Sequence, residues 1–435
     1  MINSTAIIRV CFLFFGAFLM TSTQVSSQVY VEKQTRHRFA QMNFGIDYFR
    51  SLEGESSFLD SQGMLQSFQL EPFAVPRLII GGTHFWGHAD FTVSFPLASK
   101  PYVKDGQEIS FISGLDTSFK VYPWKIKHGR VAPYIGVALS GYSFQQTNTL
   151  NDNGVGPQIE ETAFPAMAGL TYNYKNHLLE LGVSRYLANK TLDYYITDTY
   201  KTEVYIPSTF VNVSYRYMLD TSLSAERDWE SGDTQKLTEK LNENGDLNGL
   251  FVSAGPSSAF PFSIGKFNQE ERPYFGTPSL SFFLEYALGY YLHNPDLNFS
   301  VTYRGYDGSN EAFHVLQETG RRSIGFEVTK MLGDYHGFIP FIGPTISMEQ
   351  LSFVETKSEV VIHDVSETKI GYGITFGWDI RPNRIQPWLL RTNLRWTPSL
   401  NLDVSGDQNV AFGALEFNFI QLVIFPGRFK ALKQS

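Results

Sequence analysis

The stretch "GLDTSFKVYPWKIKHGRVAPYIGVALSG", residues 114–141, decides how the chain folds. Its first arm alternates, with Leu115, Thr117, Phe119 and Val121 on one face and Asp116, Ser118 and Lys120 on the other. A basic knot around Trp124 follows, then Pro133 and a second alternating arm. Successive strand side chains point to opposite faces, so this reads as a β-hairpin with one apolar side and one polar side. Such a hairpin fits a half-solvated soluble sheet. It fits equally a barrel wall with hydrocarbon outside and polar side chains within.

A repeat organises the rest. "PYIG" at residues 133–136 is answered by "PFIG" at residues 340–343, an offset of 340 − 133 = 207. Phe119 and Val121 are answered by Phe326 and Val328 at the same spacing. "FTVSF" from Phe91 matches "FSVTY" from Phe299, an offset of 299 − 91 = 208. Two stretches agreeing on one spacing indicate a tandem duplication of about 200 residues. The expected organisation is a signal peptide over 1–28, a first repeat over 29–218, an acidic linker over 219–248 and a second repeat over 249–435.

Eight strands are expected in each repeat, near 38–50, 77–86, 89–97, 109–122, 131–144, 164–174, 178–187 and 208–218, then near 249–255, 279–291, 298–305, 322–331, 338–352, 369–379, 387–396 and 411–424. The links alternate in length. "GHA", "PWKIKHGR" and "YKNH", answered by "HNPDLN", "GDYHG" and "RPNRIQ", are short. Residues 51–75, 145–162 and 188–207, answered by 256–277, 353–368 and 397–409, are long and polar. Short turns at one end and long loops at the other are the pattern of outer-membrane barrels.

The ends and the composition agree. Arg9, an apolar run from Val10 to Met20 and a small polar zone to Gln28 make a secretory signal peptide. The only cysteine, Cys11, lies within it, so the mature chain has no thiol for disulfides, thiolate metal sites or cysteine catalysis. No window after the signal reaches 18 continuous apolar residues, which excludes a helical span. A net charge of −8 without a basic run argues against nucleic-acid binding.

Parity separates the faces. Met42, Phe44, Ile46 and Tyr48 oppose Gln41, Asn43, Gly45 and Asp47, while Val211, Val213, Tyr215 and Tyr217 oppose Asn212, Ser214 and Arg216. The lumen-facing candidates are Asp47, Asp90, Asp116, Lys120, Glu180, Arg216, Glu285, Arg304, Glu327, Arg391, Arg395 and Glu416. Trp86, Tyr122, Trp124, Tyr134, Tyr290, Trp378 and Trp388 fall near the short turns. Rings with an apolar body and a polar tip prefer the bilayer interface, so these are the expected girdle.

The hairpin, the signal peptide and the girdle resemble the small eight-stranded outer-membrane barrels of Gram-negative bacteria, here duplicated. The resemblance covers nearly all of the mature chain, but its motifs are generic. It implies an outer-membrane location after signal cleavage. Such barrels usually end on an aromatic residue, whereas this chain continues through "FPGRFKALKQS", leaving Phe425 and Phe429 as candidates for that position.

The expected fold is all-β, a transmembrane antiparallel up-and-down barrel of about sixteen strands in one ring, with two tandem eight-stranded barrels as the alternative. Sixteen strands enclose an aqueous lumen, whereas eight-stranded rings are filled by their own side chains. The expected function is a non-enzymatic passive channel for small polar solutes. The alternative is a closed structural or adhesive barrel whose long loops meet lipopolysaccharide or an extracellular ligand, with an outer-membrane enzyme as a lesser alternative. The partner common to both is the lipid bilayer. No cofactor, metal or catalytic residue is expected. His84 and His88 lie about 13 Å apart on a straight strand, too far to share a metal. His314, Glu311 and Glu318 in a loop over 306–320, and His363 with Asp364, are the rim groups an enzyme could use.

Overall fold

The computed structural model describes residues 40–434 apart from 53, 151–153, 188–190, 220–231, 262, 277–280, 335–337 and 381–384. The expected signal peptide lies outside the described residues. The first half contains β1 (Ala40–Ser51), β2 (Glu55–Leu59), β3 (Leu65–Gln69), β4 (Ala74–His84), β5 (Ala89–Pro96), β6 (Tyr102–Lys104) and β7 (Gln107–Val121). It continues with β8 (Arg130–Asn148), β9 (Gln158–Ala163), β10 (Pro165–Tyr174), β11 (His177–Tyr186), β12 (Thr191–Tyr195), β13 (Lys201–Tyr205) and β14 (Thr209–Met218). Helix α1 (Gly232–Glu243) follows, in the linker.

The second half contains β15 (Gly249–Pro261), α2 (Lys266–Glu271), β16 (Ser281–Leu292), β17 (Leu297–Ala312), β18 (Val315–Met331), β19 (Phe338–Lys357) and β20 (Val360–Ile380). It ends with β21 (Trp388–Thr397), β22 (Asn401–Ser405), β23 (Gln408–Ala411), β24 (Ala414–Ile424) and α3 (Pro426–Gln434).

These strands close two antiparallel rings of eight, not one of sixteen. A single ring needs β1 to pair with β24. Instead β1 pairs with β14, Phe44 opposite Tyr217 and Tyr48 opposite Val213. From there the first ring runs through β4, β5, β7 and β8, and β10 lies along β8 to complete it through β11. In the second ring β24 pairs with β15, Phe417 opposite Ser258. The physical reason lies inside. Large, oppositely charged inward side chains fill an eight-stranded interior, and each half carries its own set of ion pairs.

Alternation of exposure follows the pleat. In β14, Val213 is 54% exposed and its neighbour Ser214 only 2%. Leu181, Ile135, Leu288, Ile346 and Phe376 are likewise exposed on the outside. An apolar exterior around a polar interior is the reverse of a soluble sheet and is what hydrocarbon requires.

The two rings are joined along one flank. Phe91, Val93 and Phe95 of β5 and Leu115 of β7 pack with Phe260 of β15 and Phe417 and Phe419 of β24. Val93 and Phe417 face outward from their own rings yet are 1% exposed, because each is covered by the other ring. Phe91 meets Trp378 edge-on at 5.1 Å, and Phe338 packs with His84 and Phe85 at the short-turn end. At the long-loop end Phe313 N–H donates to the Val155 carbonyl at 2.9 Å, and Tyr195 meets Tyr274.

Two expected loops are strands. Residues 306–320 and 353–368 extend the β17–β18 and β19–β20 ladders, so β20 reaches 21 residues. A spanning strand needs about 9–11 residues, so these four strands project well past any apolar belt. They turn on Phe313–His314 and Ser358–Glu359, all four residues with positive φ, as two-residue hairpin turns of primed type require.

Candidate functional site: filled interiors and capped ends

The first ring holds two linked charge groups. Arg77 of β4 reaches Asp47 at 2.7 Å and Asp116 at 3.2 Å. Nearer the short turns, Arg216 bridges Asp90 at 2.6 Å and Glu180 at 2.9 Å, and Lys120 also reaches Glu180, at 2.6 Å. Tyr134 donates its hydroxyl to Glu180 at 2.9 Å.

In the second ring Glu416 is the hub. Arg304 contacts it, and Arg321 and Arg395 each lie 3.1 Å away. Arg395 also binds Glu285 at 2.8 Å and Glu327 at 2.6 Å, and Arg321 binds Glu349 at 2.8 Å. Arg391 pairs with Asp379 at 2.7 Å and lies over the rings of Phe251 and Phe341. A buried charge is tolerated when its partners and hydrogen bonds are supplied on the spot. The lumen-facing candidates are all buried, none of them more than 6% exposed.

Sequence reasoning missed Arg77, Arg321, Glu349 and Arg428. Arg77 shares the parity of Gly81, two turns of the pleat on, and Glu349 that of Phe341. Arg321 falls between the expected loop over 306–320 and the strand expected from 322, so the alternation assigns it no face.

Above and below these charges the rings are stoppered by apolar side chains. At the short-turn end of the first ring, Tyr122, Ile126, Ala132, Tyr134, Leu178 and Met218 form a plug. Tyr122 and Tyr134 are therefore not girdle residues, as expected from their position, but interior ones, 1% and 2% exposed. Tyr122 follows Lys120 on the inward parity of β7, and its hydroxyl meets Thr171 at 3.1 Å. Trp86, Trp124 and Tyr290 are exposed, at 40%, 66% and 41%, while Trp388 is half-buried and Trp378 is half-buried in the joint between the rings.

At the same end of the second ring, Phe251, Tyr291, Ile339, Phe341 and Val423 pack around Phe425. Arg428 lies 3.8 Å over the Phe425 ring and donates to the carbonyls of Gln386 and Leu247.

The long-loop ends are closed as well. Phe49, Phe73, Phe111, Tyr142, Tyr186 and Phe210 stack around the first ring, with Phe49 and Phe210 only 4.4 Å apart. The four-stranded sheet β12-β13-β2-β3 covers them. Tyr194 of this cap accepts from Gln146 N–H at 2.8 Å, and burial lifts its hydroxyl above its ordinary pKa. Below the cap a cavity of about 50 Å³, lined by Phe58, Gln107, Gln146 and Ile196 among others, has room for a water or two. In the second ring α2 and the β22–β23 hairpin bring Phe267, Leu402 and Val410 onto Leu351 and Phe353.

The enzyme-like rim residues are dispersed. Glu311 and Glu318 are exposed on paired strands, and His363 packs against Phe267. His84 is buried against Phe338, and His88 contacts the Tyr122 carbonyl at 3.1 Å. Among the described residues no group of three or more potential metal ligands occurs.

No protein-family model and no curated protein matches the chain. Among solved structures it is similar to Neisserial surface protein A, at 18% identity over 41% of this chain and 97% of that one, with a TM-score of 0.29. It is also similar to an outer-membrane channel from Pseudomonas putida F1 at 8% identity, covering 91% and 99% of the two chains, with a TM-score of 0.20. The transport unit of the autotransporter AIDA-I from Escherichia coli matches at 8% identity over 94% and 97%, with a TM-score of 0.21. The chain is all-β, with two eight-stranded antiparallel barrels in tandem. The strand pairings, not these distant matches, establish its two rings.

Proposed function

We propose that the protein is a closed double barrel of the bacterial outer membrane, non-enzymatic, working as a structural or adhesive element through its long-loop end. On this reading the short turns, the linker and both chain ends face the periplasm after signal cleavage. The capped, projecting end then meets lipopolysaccharide or an extracellular partner. The observation that carries it is the filling of both interiors, with paired charges between apolar stoppers among the described residues. The second reading, a passive channel for small polar solutes, needs a lumen wider than an eight-stranded ring filled by its own side chains provides.

Single-channel recording in planar bilayers tests this, with heat-modifiable gel migration as the control for folding. The folded protein is expected to be electrically silent. Stable steps of nanosiemens size from heat-modifiable material would overturn the closed reading and restore the channel.

A further inference from the structure

The loop over residues 122–129 is a fixed lid. Ile126, 1% exposed, reaches into the first ring, and its N–H donates to the Gly87 carbonyl at 3.0 Å. On the other side Gly129 N–H donates to the Asn173 carbonyl at 2.8 Å, and Lys175 N–H donates to His128 Nδ1 at 2.8 Å. Three short turns are thereby locked into one rim. The inward demand on Ile126 leaves Lys125 and Lys127 exposed on either side of it, and Arg130 and Lys175 are exposed beside them.

This rim carries four cations, Lys125, Lys127, Arg130 and Lys175, in a chain whose net charge is −8. Residues 85–89, 121–130 and 171–179 contain no carboxylate, and the next in sequence, Asp90 and Glu180, are turned into the ring and bound to Arg216. Interfacial aromatics flank the cations: Trp124 is 66% exposed and Tyr174 48%, with Lys175 Nζ 5.5 Å from the Tyr174 ring. Clustered cations at the membrane surface attract anionic headgroups, each adding to the attraction.

We propose that this rim docks anionic phospholipid of the adjoining leaflet, the phosphate meeting the four cations and the glycerol region lying beside Trp124 and Tyr174. The proposal rests on the membrane-spanning reading above. A lipid, rather than a soluble acidic protein, is favoured because the aromatics place these charges at headgroup level. The lid also holds them in position without lipid, so little ordering is lost on docking.

The test uses the full chain in vesicles of phosphatidylcholine mixed with phosphatidylglycerol. Lipid that stays bound after detergent extraction is read by native mass spectrometry. Retention of phosphatidylglycerol over phosphatidylcholine is expected to be on the order of tenfold and to collapse in high salt. In K125Q/K127Q/R130Q/K175Q the preference should vanish while heat-modifiable migration persists. Equal retention of the two lipids by the folded wild type, or an undiminished preference in the folded variant, overturns the proposal. So does binding of a soluble acidic peptide by wild type that keeps no lipid preference. If the variant fails to fold, the salt dependence of the wild type decides. Loss of heat-modifiable migration in the wild type would instead overturn the barrel reading itself.

Discussion

In the first barrel the short-turn mouth is covered by a loop, residues 122–129, that sends Ile126 into the ring. The matching link of the second barrel, residues 332–337, is shorter, and there the tail takes over, with Phe425 in the mouth and Arg428 clamped across it. The charge networks differ as well. Lys120 and Glu327 occupy equivalent positions, 327 − 120 = 207, and both face inward, yet their signs are opposite. Lys120 pairs with Glu180, and Glu327 with Arg395. The strand frame repeats, while each interior holds its own set of ion pairs. Outer positions needed only to stay apolar, so Phe119 and Val121 survive as Phe326 and Val328.

The largest effect is expected at the hub of the second network. Glu416→Gln removes the carboxylate that Arg304, Arg321 and Arg395 share and should cost about 3 kcal/mol, the low end of the range for breaking a buried pair, because Glu285, Glu327 and Glu349 still face these guanidinium groups. Urea unfolding of the vesicle-embedded protein measures it. A loss no larger than that of a surface pair such as Arg322–Asp307 would mean the hub is hydrated, and the contrast between filled interiors would fail.

Next come the two stoppers. Phe425→Ala should cost about 3 kcal/mol and Ile126→Ala about 2 kcal/mol, as for other large-to-small core changes. Phe429, 47% exposed on α3, is the control. If Phe425→Ala unfolds no more easily than Phe429→Ala, the tail is an appendage and not a plug. The smallest effect is a gain. Glu359 has a φ of 68° in the β19–β20 turn, so Glu359→Gly should add about 1 kcal/mol by relieving a left-handed backbone. An unchanged or lower melting temperature would show that the turn is held by its neighbours.

The sixteen ring strands were legible because alternation and the 207-residue spacing reinforce each other. Ring number was not, since periodicity marks strands without saying which ends meet. Tyr122 and Tyr134 were misplaced because an aromatic at a strand end reads alike as girdle or as plug. Parity with Lys120 and Ala138 held the answer. The ladders over 306–320 and 353–368 read as loops because, beyond the apolar belt, both faces of a strand accept polar residues. Charged partners such as Asp90 and Arg216 could be placed on the inside, but not joined, because their contact spans 126 positions of chain.

Acyl chains solvate a phenylalanine about as well as another phenylalanine does, so the flank shared by Phe91, Phe95, Phe417 and Phe419 gains little inside a bilayer. Directional contact comes at the wet end, where the Phe313–Val155 hydrogen bond and the Tyr195–Tyr274 contact tie the two cylinders. At the opposite mouth Phe338, set against His84 and Phe85, pins the same seam a second time, so the two cylinders are held at both ends as well as along their length.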